Sequence, residues 1–160
     1  MKKNNSMIYN KNFIFIGNAN ISLEILKHLY KHNVFPKAIF SEKKKKFNND
    51  YIDLTKVKIF GKSKKYLTKN INSEKNINII KKIKPLFIIC IGFNSILSKE
   101  LINIPKLGCV GFHPTNIPFN RGNSPIIWTI LLGLNYSYCS FFKLTTEVDK
   151  GPVLIMKKIK

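Results

Sequence analysis

Short continuous apolar runs, each closed by glycine, proline or a polar cluster and followed by apolar residues at helical spacing, recur along this chain and leave few folds open to it. Phe13-Ile-Phe-Ile-Gly17 is the first: a buried strand and a tight turn, after which Ile21, Leu23, Ile25, Leu26, Leu29 and Tyr30 mark a helix. Strands alternating with helices pair in parallel and carry helices on both faces. The predicted fold is therefore α/β, a three-layer sandwich with a mostly parallel twisted sheet.

The pattern continues. Phe35 to Phe40 reads as the second strand, and the Lys43–Lys46 run with Asn48, Asn49 and Asp50 as a solvated loop, since four adjacent like charges resist burial. Residues 51–72 are the least legible, with a short strand expected near Val57–Phe60 and irregular structure after it. Ser73-Glu74 reads as a helix cap before Ile77, Ile79, Ile80 and Ile83, and Pro85 ends that helix. Leu86–Ile91 is a buried strand, a short helix follows around Ser98–Ile102, and Cys109–Phe112 is the next strand. A helix begins at Ser124 with Pro125 in its first turn. Tyr136–Leu144 and Val153–Ile159 complete the strands. Trp128 is expected in the core, and His28 and His32 on the surface.

In such sheets ligands sit beyond the carboxyl ends of the strands. The Gly17 turn, Phe93–Leu97 and His113 all leave the sheet there, and the loop between the last two strands is expected to bring Asp149 to them. The loop after His113 is rich in proline and glycine, which fix backbone direction cheaply and present main-chain groups to a ligand. Of 28 basic residues Arg121 is the sole arginine, which points to use of its planar, five-donor fork. Asp149-Lys-Gly151 is, by itself, equally a plain turn.

A formal charge of +20 raises the question of nucleic acid. Twenty lysines fall in residues 1–85 and only four between 86 and 156, so the half bearing the site motifs is the less basic one. No arginine-rich or aromatic RNA-binding motif is present, which argues against a nucleic-acid module. Cys90, Cys109 and Cys139 lie at long spacings inside apolar runs and read as buried thiols, without a disulfide frame or a zinc site. No apolar run approaches the ~20 residues that span a bilayer. A cytoplasmic protein is expected, with a homodimer left open.

The ordered set Ile91-Gly-Phe-Asn-Ser-Ile-Leu97, Phe112-His113-Pro114, Pro118-x-x-Arg121-Gly122, Pro125-x-x-Trp128 and Val148-Asp149-x-Gly151-Pro152-Val153 resembles the folate-dependent formyltransferase domain. That family includes glycinamide ribonucleotide, methionyl-tRNA and sugar N-formyltransferases. The resemblance runs from about Phe13 to Ile159 and implies a Rossmann-like formyltransferase fold. Residues 13–160 would form the catalytic domain after a flexible segment 1–12, stopping short of the length usual in the family.

The resemblance further implies 10-formyltetrahydrofolate as co-substrate and a small-molecule amine acceptor. The Phe-His-Pro and Arg-Gly spacing looks closer to the sugar and methionyl-tRNA branches than to the purine branch, and a nucleotide-linked amino sugar is the acceptor expected. His113 would act as acid, base and electrostatic group, and Asp149 as its orienter and proton relay. Phe93, Asn94, Ser95, Ile96, Leu97 and Gly151 would bind the folate, and Gly17, Asn18, Asn116, Arg121 and Gly122 the acceptor. The family pattern resembles Asn-x-His, whose amide holds the formyl oxygen, but Gly111 stands in that place here. Three outcomes stay open: Asn116 or Asn123 replaces the amide, the acceptor is unusual, or catalysis is weak. A hydrolase releasing formate and a binding relic without turnover are the alternative functions.

Overall fold

The computed structural model describes residues 12–46, 49–122 and 124–159. Seven strands form one sheet: β1 (Phe13–Ile16), β2 (Ala38–Glu42), β3 (Lys64–Thr68), β4 (Phe87–Cys90), β5 (Cys109–His113), β6 (Ser137–Lys143) and β7 (Val153–Ile159). Their spatial order is β3-β2-β1-β4-β5-β6-β7. The first five are parallel, while β6 and β7 run antiparallel to their neighbours. The expected mostly parallel α/β sheet is what the chain forms.

Strand alternation divides the apolar residues between two faces. Ile14, Ile16, Phe40, Ile88 and Cys109 join Ile80, Leu101 and Ile102 in one core, beneath α2 (Glu74–Ile83) and α3 (Lys99–Ile102). Phe15, Ile39 and Ile91 join Leu26, Tyr30, Leu54 and Phe60 in the other, beneath α1 (Asn20–Lys31). These two cores make the sandwich three layers thick. The side chain of Asn12 reaches the end of α2, its Nδ2 donating to the carbonyls of Ile83 and Lys84 at 2.7 and 2.9 Å. The rest of the expected segment 1–12 lies outside the described residues.

Four expectations need correction. Val57–Phe60 is not a strand: two 3₁₀ turns cover Leu54–Lys56 and Lys58–Phe60, the first capped by Asp53, whose carboxylate accepts from the Thr55 amide at 3.0 Å. Fully buried Leu54 and Phe60 plug the α1 core from these turns. The third strand lies later, at Lys64–Thr68, where Tyr66 stacks on Phe40 with ring centroids 4.7 Å apart. Lysine at a sheet edge discourages further pairing, which hid this strand behind a polar composition. The second strand starts at Ala38, after Pro36, which has no amide to donate, and continues to Glu42.

Ser73 stands at the N-cap of α2 as expected, its carbonyl accepting from Ile77 N at 3.0 Å, although its side chain makes no cap bond. Trp128, expected in the core, is 58% exposed. It belongs to α4 (Pro125–Leu131), none of whose residues is buried, and every residue of the outer strand β7 is exposed as well. Among the described residues no helix is long and apolar enough to cross a membrane.

Candidate functional site

The parallel strands β1, β4 and β5 end at one edge, and three loops leave from it. The first two are tied together. The Asn18 amide donates to Gly92 O at 3.1 Å, and Ser22 Oγ donates to Ile91 O at 2.6 Å. Gly17 permits this approach, because a Cβ there would lie 2.5 Å from the Ile91 carbonyl oxygen. Asn18 is 4% exposed, and its Oδ1 has no hydrogen-bond partner among the described residues. Two groups at the start of α1 are engaged: the amide of the cap residue Ala19 donates to Ser22 Oγ, and Asn20 donates through both its backbone amide and its side chain to the Asp50 carboxylate. This chain thus carries its own anion at the helix end, where partial positive charge collects.

The second loop holds the predicted folate contacts. Phe93 is half-buried and packs on the α2 core, Leu97 is buried within it, and Asn94 and Ile96 face solvent. Of the two predicted apolar walls, only Ile96 is outward. Ser95 donates to Glu42, a residue that the motifs did not mark.

The third loop begins at His113, which closes β5. The imidazole is 8% exposed, and its Nε2 lacks a hydrogen-bond partner among the described residues. A buried ring nitrogen left unpaired costs stability. Opposite His113 in the antiparallel register stands Ser140, whose Oγ donates to Thr115 O at 2.6 Å, and Ser137 Oγ donates to Pro114 O at 2.8 Å. Serines on β6 therefore fix the chain just past the imidazole; hydroxyls inside an apolar strand were the signal available for them. The loop contains a cis peptide between Ile117 and Pro118. Asn116 is half-buried and accepts through its carbonyl from Phe119 N at 2.8 Å. Asn123 lies outside the described residues. Arg121 and Gly122 are exposed.

Asp149 sits in the turn between β6 and β7, half-buried and in the left-handed conformation at φ 54°. The turn is closed tightly: Lys143 N donates to Pro152 O at 2.9 Å, and a Cβ on Gly151 would lie 1.6 Å from Lys143 O, so only glycine fits. The register shows that β6 ends opposite Val110, three residues before His113. The turn must fold back along β5 to approach the imidazole. In this turn the exposed Glu147 carboxyl is held below the usual range, first by a hydrogen bond and the charge of Lys150 and also by the charge of Arg121 from the third loop. Among the described residues no hydrogen bond reaches His113 Nε2 from Asp149.

Gly111 and His113 alternate with Phe112 and so share one face of β5 with Cys109. A Cβ at 111 would meet Leu144 Cδ2 at 2.5 Å and Phe142 Cζ at 3.2 Å. Hydrocarbon fills the space that an amide side chain at this position would need. Beneath it, burial pushes the Cys109 thiol up to about 12 and the Cys90 thiol higher still. No cluster of three or more His, Cys, Asp or Glu suited to a metal occurs among the described residues.

A family model described as formyl transferase matches residues 11–160. The methionyl-tRNA formyltransferase of Thermotoga maritima is 26% identical over 150 residues, covering 91% of this chain and 48% of that protein. The chain thus spans about half the length of such curated relatives. Among solved structures, phosphoribosylglycinamide formyltransferase from Streptococcus pneumoniae TIGR4 superposes with TM-score 0.73 at 17% identity, over 93% of this chain and 82% of that one. A sugar N-formyltransferase from Shewanella sp FDAARGOS_354 gives TM-score 0.69 at 19% identity, over 94% and 57% respectively.

Proposed function

The chain belongs to the formyl transferase family, and from that premise we propose that residues 13–160 form a catalytic unit moving a formyl group from 10-formyltetrahydrofolate to a primary amine. The observation that carries this reading is His113, a nearly buried imidazole at the carboxyl edge of the sheet with an unclaimed Nε2. The amine nitrogen attacks the formyl carbon and a C–N bond forms. The bond from that carbon to folate N10 then breaks, and the proton lost by the amine ends on N10. An imidazole can carry that proton and, when charged, stabilise the tetrahedral oxyanion. Asp149 would orient His113 or a water for that transfer.

Main chain of Phe93–Leu97 and Gly151 would meet the pterin. Gly17, Asn18, Asn116, Arg121 and Gly122 would meet the acceptor. We assign a nucleotide-linked amino sugar as that acceptor; the spacing of the His113 and Arg121 motifs supports it against the purine branch. A second reading, methionyl-tRNA, is favoured by the names of the curated relatives. With the acceptor's phosphate in mind, Asp50 is a competitor for the α1 amides, and binding there requires its carboxylate to yield.

The test incubates the protein with 10-formyltetrahydrofolate alone, with amino-sugar nucleotides, and with methionyl-tRNA, following tetrahydrofolate and formate. Tetrahydrofolate that appears only with an acceptor supports transfer and identifies that acceptor. Formate released without one replaces transfer with hydrolysis, and binding without turnover replaces it with a relic.

A further inference from the structure

The Phe93–Leu97 loop is held by side chains outside every predicted site motif. We propose that Glu42, at the carboxyl end of β2, is a positioning residue for folate: together with Lys45 and Asn72 it clamps the main chain of residues 93–98 in the shape the pterin needs. The proposal rests on the folate reading above and extends it to residues that never touch the ligand.

Glu42 is 2% exposed, a degree of burial that a carboxylate tolerates only with partners. Both of its oxygens are used. Oε1 accepts from the Ile71 amide at 2.8 Å. Oε2 accepts from the Ser95 hydroxyl and pairs with Lys45 Nζ at 3.2 Å. Lys45 Nζ also donates to Ser95 Oγ at 2.6 Å, so carboxylate, hydroxyl and ammonium close a triangle around the middle of the loop. The Lys43–Lys46 run, expected to be wholly solvated, thus contributes one structural cation.

Asn72 supplies a second arm. Its Nδ2 donates to Ile96 O at 2.8 Å, and its Oδ1 accepts from Ser98 N at 2.8 Å. Because Glu42 fixes the amide of Ile71, the residue before Asn72, one buried carboxylate governs both arms.

Packing alone does not set this loop. Asn94 and Ile96 are exposed, and Leu97 is its one buried side chain. Hydrogen bonds to a charged acceptor are roughly twice as strong as neutral ones and hold direction better. A site that reads ring edges through main-chain groups needs those groups fixed within about 0.5 Å, by supports that lie behind them. When the clamp is broken, the ligand must order the loop as it binds, and affinity falls.

The experiment titrates wild type, Glu42→Gln and Lys45→Met with 10-formyltetrahydrofolate by calorimetry, recording melting temperature and amide exchange for each. Lys45 is on the surface, so Lys45→Met leaves the core intact. The expected result is a Kd raised about tenfold in both variants, equivalent to about 1.4 kcal/mol. Exchange should quicken at residues 93–98 in both variants, at the Ile71 amide as well in Glu42→Gln, and not elsewhere. Wild-type binding that both variants retain unchanged overturns the proposal alone. Failure of the wild type to bind overturns the folate reading and the proposal with it. A general loss of exchange protection reduces Glu42 to a fold-stabilising residue and also overturns it.

Discussion

Leu144 occupies the room that a side chain on Gly111 would take, its Cδ2 lying 2.5 Å from where that Cβ would stand. The amide absent from this position has been replaced by packing, so the two residues depend on each other. Gly111→Asn should destabilise by about 1–3 kcal/mol through overpacking. Urea unfolding checks this, and Gly111→Asn with Leu144→Ala should recover part of the loss. A fully stable single variant would show that Leu144 moves aside freely.

If the oxyanion is held instead by Asn116, three residues beyond His113, then Asn116→Ala should slow formyl transfer by about 10²–10³. The measurement is kcat at saturating folate and acceptor. An unchanged rate removes Asn116 from that role.

Burial raises the Cys109 thiol to about 12, whereas the unfolded chain releases this proton near the usual value of about 8.5. Folding therefore favours the protonated thiol. Its contribution is complete below about pH 8.5 and is lost as pH climbs from there toward 12. Thermal melts from pH 8 to 10.5 should fall more steeply for wild type than for Cys109→Ala. Of the three thiols expected to be buried only Cys109 is fully so, Cys90 and Cys139 being half-buried, and at pH 8 a thiol reagent should label Cys109 only after denaturation.

Leu101 and Trp128 mark the difference between core and open surface. Leu101 is 0% exposed between α3 and the sheet, so Leu101→Ala should cost about 2–5 kcal/mol. Trp128→Ala in α4 should change stability by less than about 0.5 kcal/mol. Denaturant midpoints decide it. A large loss at Trp128 would mean that α4 is covered in solution.

The parallel half of the sheet was legible because strands buried on both faces read as uninterrupted apolar runs, as Phe13–Ile16 and Leu86–Ile91 do. Lys64–Thr68 was not, since edge lysines make a strand look like a loop. Nor were the turns at Leu54 and Phe60, where two apolar side chains point inward from 3₁₀ backbone without strand period. At the site, His113 and Asp149 stood out by motif, and Pro125 marked the start of α4. Glu42, Asn72 and Ser140 did not, because their roles arise from contacts across 53, 24 and 25 positions of sequence. Trp128 was misplaced because an apolar helix reads as buried from composition alone, whatever lies against it.

The most direct test of the account compares acceptor-dependent release of tetrahydrofolate by wild type and His113→Ala, with folate binding measured on both. The account predicts turnover in wild type, a rate lower by about 10²–10⁴ in the variant, and folate affinity changed little. Equal rates in the two proteins would contradict it.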